Sequence, residues 1–191
     1  MNLAEDLSVS KQDLNQSITL LLDYLEDKET NINHQMEING KKQEVFDAKE
    51  KRHMIDVKKL YQKAKKCSIA CIVLGIGIVF YMRKEKHTLA FLSKGFLRAS
   101  FCFLVFLAFL MLWMITDFTD FWTHFHQLFF NNQDWLLTPG IDFMIDMLPE
   151  YVFSKLVFSI VFTYAFILIV SLLFCIYYQK KKAPIAYEVD L

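Results

Sequence analysis

The chain has no net charge, with 21 Lys and Arg against 21 Asp and Glu over 191 residues. No basic block interleaved with aromatics occurs away from its most apolar runs, so nothing marks a nucleic-acid partner. Charge is scarce altogether: 22% of residues are charged while 54% are hydrophobic and 16% aromatic, too apolar for a soluble domain of this length. Cysteines are few, and Cys67, Cys71, Cys102 and Cys175 all fall inside apolar runs. Neither a disulfide framework nor a zinc motif can be built from them without leaving a bilayer, so they read as small apolar side chains.

Three runs approach the roughly 20 residues that cross a hydrocarbon core. They are Cys67 to Met82, Phe96 to Ile115 and Leu156 to Tyr178. The first is short and requires residues 64–66 to join its helix with their lysines snorkelling to the interface. The expected fold is an all-α polytopic membrane protein, a helical transmembrane bundle with a small extracytoplasmic helical and hairpin segment. Its divisions are an N-terminal segment 1–63, a span 64–82, a cytoplasmic loop 83–95, a span 96–116, an interfacial loop 117–155, a span 156–178 and a cytoplasmic tail 179–191. Localisation follows as the cell membrane, multi-pass.

Orientation is read from lysine and arginine beside the spans. RKEKHTLAFLSKGFLR between the first two spans and QKKK after the third read as cytoplasmic, whereas the connection from Asp117 to Lys155 carries six acids against one lysine and reads as external. With three spans, the first 66 residues then lie on the same side as that connection, so two distant segments can build one site. KKLYQKAKK before the first span opposes this, because a lysine-rich segment without a signal exports poorly and MNLAEDLSVS contains none. Inversion would put both QKKK and RKEKH outside, so an additional N-terminal anchoring span is the favoured resolution.

Ser10 and Asp13 resemble a capping box ahead of Leu14, Ile18, Leu21, Leu22 and Leu25, an amphipathic helix by spacing. Asn39-Gly40 between short alternating runs predicts a hairpin with a type I′ turn. A second helix starts at Asp47, capped reciprocally with Glu50, and meets no breaker before the first span. Within it, Glu50, His53 and Asp56 are spaced by three, so the carboxylates could orient the imidazole from either side. The helix N-terminus disfavours imidazolium and the carboxylates favour it, leaving open which dominates and whether His53 is only part of a solvated face.

DFTDFWTHFHQLFFNNQDW follows the second run. Phe118, Trp122, Phe125 and Phe129 form a helical stripe suited to the membrane interface or to other helices. His124 and His126 then point to opposite sides, which discounts a zinc site made from both. His126 shares its face with Trp122 and Phe130. Trp135 and Tyr151 fit headgroup depth, TPG at 138–140 is a turn, and IDFMIDML after it reads as a surface or re-entrant helix.

EKRHMIDVKKLY together with FHQLFFNNQDWLLTPGIDFMIDMLP resembles the lipoprotein intramolecular transacylase family, Lit, of Gram-positive bacteria, over most of the chain. The resemblance implies a membrane enzyme that moves the sn-2 acyl chain of a diacylglyceryl-cysteine lipoprotein to the α-amino group of the same cysteine, giving the lyso form. It implies diacylated bacterial lipoproteins as substrate, membrane lipids as surroundings and no free cofactor. The family's two functional histidines map to His53 and His126, with the active site on the extracytoplasmic side. Glu50 and Asp56 become supporting residues, and Trp122, Phe125, Phe130 and Trp135 the interfacial pocket. Family members begin with one more span, in line with the anchor inferred above.

Ester-to-amide transfer needs a neutral amine, a stabilised oxyanion and a proton for the leaving oxygen. His126 is assigned as base and His53 as oxyanion donor, the reverse remaining open. A geometric difficulty accompanies this: an upright helix places His53, fourteen residues before Cys67, about 21 Å above the apolar core at ~1.5 Å per residue. The imidazoles meet only if the helix tilts, hydrocarbon begins nearer Val57, or the connection rises. Two other readings stand beside the transacylase. One is a metal-dependent membrane hydrolase using Glu50, His53, His126 and Asp134; the other is a non-catalytic assembly or sensing protein.

Overall fold

The computed structural model describes residues 3–38, 41–82 and 88–182. The element order is α1 (Leu3–Asp6), α2 (Lys11–Leu25), β1 (Gln35–Ile38), β2 (Lys41–Glu44), α3 (Ala48–Met82), α4 (Thr88–Thr116), α5 (Phe118–Phe129), α6 (Phe143–Met147) and α7 (Glu150–Lys182). Among the described residues the regular structure is helical apart from one small hairpin, and α3, α4 and α7 are each long and apolar enough to cross a membrane. It divides into two compact units, Met1–Ile72 with Trp122–Phe153, and Val73–Phe121 with Ser154–Leu191.

In the first unit, local signals set the elements. Ser10 Oγ accepts the Asp13 N–H at 3.0 Å and donates to its carboxylate at 2.7 Å, starting α2. The helix ends in a Schellman arrangement, with Asp27 N–H on the Tyr24 carbonyl, Lys28 N–H on the Asp23 carbonyl, and Asp27 at φ 63° where glycine is usual. Lys58 forms an ion pair with Asp27 at 2.7 Å and covers the Tyr24 ring. Strands β1 and β2 pair antiparallel from Gln35↔Glu44 to Ile38↔Lys41. The expected hairpin is therefore present, while its turn at Asn39-Gly40 lies outside the described residues.

Leu14, Leu21 and Tyr24 of α2 meet Ile32, Met36, Val45 and Phe46 in a core that also takes Met54 of α3 and Met144 and Met147 of α6. Two sequence expectations are corrected here. Leu22 is 58% exposed, because the buried stripe runs through Leu14, Ser17, Leu21 and Tyr24 and leaves Leu22 beside it. IDFMIDML is not a surface helix: α6 is short and drives Met144 and Met147 into the core. The turn before it is type II, with Pro139 second, Gly140 third at φ 78°, and Ile141 N–H on the Thr138 carbonyl.

The second unit is organised differently. Along α4 and α7 large apolar side chains such as Phe101, Phe109, Leu112, Phe162, Phe166 and Leu173 are exposed, the pattern of helices whose solvent is lipid. Polar groups tie the ends: Gln179 donates to Ser93 Oγ at 2.8 Å and Trp113 Nε1–H to Asp120 at 2.8 Å. Phe103 packs edge-on to Tyr164.

Candidate functional site

Helix α3 opens with a reciprocal cap. Asp47 N–H donates to Glu50 Oε2 at 2.6 Å, and Glu50 N–H donates to the Asp47 carboxylate at 2.7 Å. Glu50 is 1% exposed, and its other oxygen accepts the Met144 N–H at 2.6 Å. The carboxylate thus joins the first turn of α3 to the first turn of α6, where helix N–H groups lack intrahelical partners. Burial pushes its carboxyl up from the usual range, and the two amides oppose that shift.

Lys49, Arg52, His53 and Asp56 follow at helical spacing and share one face of α3. Lys49 donates to the Leu136 carbonyl at 2.5 Å and to the buried Asp142 at 3.0 Å. Arg52 grips Asp134 with a two-pronged fork at 3.0 and 2.8 Å. Asp56 accepts from Asn132 at 2.8 Å and from Lys59 at 3.0 Å. The charged side chains around His53 thereby lash the segment 132–144 onto α3. Sequence reasoning missed Lys49, Arg52, Asn132 and Asp142; the available signal was a basic helix face matched by an acid-rich connection.

His53 and His126 meet at the centre, 8% and 7% exposed, with ring centroids 5.9 Å apart. The two imidazoles come together because residues 122–153 belong to the same compact unit as residues 1–72. The four aromatics singled out from sequence all touch His126. Trp122 and Phe125 meet it edge-on at 4.8 and 5.6 Å, Phe130 lies tilted to it at 5.6 Å, and Trp135 stacks on it at 5.0 Å. Phe130 also meets His53 edge-on at 5.4 Å. His124 is exposed on the other side of α5. Trp135 is more than a headgroup anchor, because it covers the imidazole.

His126 Nδ1 lies 2.7 Å from the Trp122 carbonyl. A carbonyl only accepts, so Nδ1 carries the proton and Nε2 of the neutral ring keeps its lone pair. Burial pushes the His126 imidazole below its ordinary value, partly offset by that hydrogen bond. His53 is pushed down to about 4 by burial first and by His126 second, against the opposing charges of Asp56 and Asp134. The competition left open by the sequence is thus won by desolvation, and both rings are neutral near pH 7.

The expected direct support of His53 by Glu50 and Asp56 is not what forms. Glu50 is occupied by two backbone amides and Asp56 by Lys59 and Asn132. The alternative ligand set fails for the same reason: Asp134 faces Arg52, and among the described residues no three His, Cys, Asp or Glu side chains are grouped to hold a metal ion.

Long apolar helices define an integral membrane protein, and two distant segments bring a pair of buried imidazoles together inside an aromatic enclosure. The profile of a family described as lipoprotein intramolecular transacylase Lit matches residues 1–153. The fold is similar to the in meso structure of the membrane integral lipoprotein intramolecular transacylase Lit from Bacillus cereus, with a TM-score of 0.75 at 24% identity, covering 95% of this chain and 80% of that one. Two structures of the Bacillus cereus protein with a histidine replaced by alanine or by arginine align with a TM-score of 0.65 at 23% identity. They cover 95% of this chain and 78% and 76% of theirs. No curated protein matches. The chain belongs to the Lit family, and it is an integral membrane enzyme, a lipoprotein intramolecular transacylase.

Proposed function

We propose that the site formed by His53 and His126 carries out this transfer on the extracytoplasmic side of the membrane, moving the sn-2 acyl chain of a diacylglyceryl-cysteine to that cysteine's α-amino group. The observation that carries the reading is the 2.7 Å contact between His126 Nδ1 and the Trp122 carbonyl, which sets the tautomer. With Nδ1–H committed to the Trp122 carbonyl, Nε2 is a free lone pair in a water-poor enclosure, the condition a general base requires.

In the step we assign, the neutral amine nitrogen attacks the ester carbonyl carbon and a C–N bond forms. His126 Nε2 takes a proton from that nitrogen as the oxyanion develops. His53, neutral because burial holds it down to about 4, retains one N–H to donate to the oxyanion. When the C–O bond breaks, the proton held by His126 passes to the departing sn-2 oxygen. Products are an amide and a free hydroxyl, so no water is consumed. Donor and acceptor belong to one molecule, and positioning supplies much of the rate. Trp122, Phe125, Phe130 and Trp135 exclude water from the imidazoles and offer an apolar wall to the acyl chain, with surrounding membrane lipids holding the substrate at this depth.

The test is mass spectrometry of the N-terminal peptide of a diacylated lipoprotein coexpressed with this chain. Unchanged total mass with one acyl group relocated to nitrogen supports the reading, provided His53→Ala and His126→Ala variants that still fold leave the peptide diacylated on oxygen. Relocation that persists in both variants refutes the site assignment.

A further inference from the structure

Asn132 lies at the start of the segment that α3 holds, and both ends of its side-chain amide and its backbone carbonyl are engaged. Its Nδ2–H donates to Asp56 Oδ2 at 2.8 Å. Its Oδ1 accepts the Asp134 N–H at 3.0 Å, and its backbone carbonyl accepts the Trp135 Nε1–H at 2.8 Å. Trp135 in turn stacks on His126, 5.0 Å between centroids and 26° between planes. A continuous chain of contacts therefore runs from α3 through Asp56, Asn132 and Trp135 to the imidazole. Asp134, the next acid along, is fixed separately by Arg52.

We propose that Asn132 is a positioning residue of the transacylase, holding the Trp135 indole against His126, and that Asp56 serves the site through Asn132 rather than through His53. The inference rests on His126 belonging to the reacting site. An amide is suited to the task because one side chain must donate outward to a carboxylate while accepting from the backbone two residues on, and only Asn does both at this length. The indole N–H fixes ring rotation as well as position, since its donor has one direction. The stacked indole face meets the imidazole at the moment it becomes imidazolium, a contact that strengthens with positive charge. Charged groups facing the pair are Asp56 and Asp134 beside His53.

Single-turnover transfer on a diacylated lipopeptide, with the full chain in lipid nanodiscs, tests this through a cycle of Asn132→Ala, Trp135→Leu and their double variant. Each single change is expected to slow transfer about tenfold, and the double is expected to match Trp135→Leu within twofold, because a residue acting through another adds nothing once that other is gone. Independent losses that multiply to about a hundredfold would overturn the proposal. In parallel, NMR of the His126 ring protons reads the indole ring current without needing activity. That shift is expected to collapse in Asn132→Ala and to persist in Arg52→Lys; persistence in Asn132→Ala would overturn the proposal.

Should Asn132→Ala not fold, an exchange variant replaces the cycle. Asn132→Asp alone sets two carboxylates against each other and is expected to be slow. Combining it with Asp56→Asn restores the bond with donor and acceptor exchanged and is expected to recover transfer to within threefold, whereas no recovery would overturn the proposal. Absence of transfer by the unaltered chain would instead refute the site's proposed reaction, leaving the ring-current readout to decide the positioning role.

Discussion

The unit made of Met1–Ile72 and Trp122–Phe153 packs a cluster of buried apolar side chains, whereas in the unit made of Val73–Phe121 and Ser154–Leu191 many large apolar side chains are exposed. In the first, Phe46, Met147 and Glu50 are almost wholly buried and the buried carboxylates of Glu50 and Asp142 each have hydrogen-bond partners. In the second, Phe101, Phe162, Phe174 and Tyr177 are more than half exposed. Water drives the first arrangement and lipid permits the second, because apolar side chains gain nothing by hiding from hydrocarbon. Desolvated yet oriented polar groups such as Glu50, His53, His126 and Asp142 therefore gather in the first unit, where a core exists to fix them.

The largest effect expected from this contrast is on catalysis. His126→Ala should lower transfer by about 10²–10⁴-fold, the usual contribution of a positioned acid–base group, while Phe166→Leu on the exposed face of α7 should change it less than about twofold. Acyl relocation measured by mass spectrometry checks both. Equal losses would erase the distinction between the two units.

Stability should separate them next. Glu50→Ala leaves the Asp47 and Met144 amides without their acceptor and should cost about 2–5 kcal/mol, given two charge-assisted bonds and the burial of Met144. Leu173→Ala, on a lipid-facing surface 62% exposed, should cost less than about 1 kcal/mol. Thermal unfolding in detergent resolves the difference.

The pH dependence sharpens the same point. His53 falls from its ordinary value to about 4 in the folded protein, so between pH 6.5 and 4 the unfolded chain binds the additional proton. Stability should decline as pH falls through that window, by about 3 kcal/mol at 1.36 kcal/mol per unit, with His126 acting in the same direction. His53→Gln should flatten the decline in denaturant titrations across that range. Smallest among the changes in the first unit, Arg52→Lys should leave transfer within about threefold, because a surface fork contributes register more than energy.

Much of this was legible in the sequence where signals are local. The Ser10 and Asp47 caps, the paired strands around Asn39-Gly40, the three long apolar helices and the opposed directions of His124 and His126 each depend on residues a few positions apart. Three spans also put residues 1–66 and 117–155 on one side by expectation, and His53 and His126 from those two segments do meet. What the sequence did not disclose depends on partners 76 to 94 residues away. Glu50 bonds a backbone amide of Met144, and no side-chain pattern marks a backbone partner. Asp56 was assigned to His53 by spacing, yet Asn132 competes for it from across the fold. Leu22 fell outside the core because Ser17 occupies its seam, a polar residue that hydrophobic periodicity passes over.

The most direct test of the central claim is a ¹⁵N-histidine NMR titration of the protein in nanodiscs, with His53→Gln and His126→Gln variants for assignment. The expected result is His126 protonated at Nδ1 with Nε2 bare at neutral pH, and His53 remaining neutral until about pH 4. An Nε2-protonated His126, or either imidazole charging at or above the ordinary value of 6.5, would contradict it.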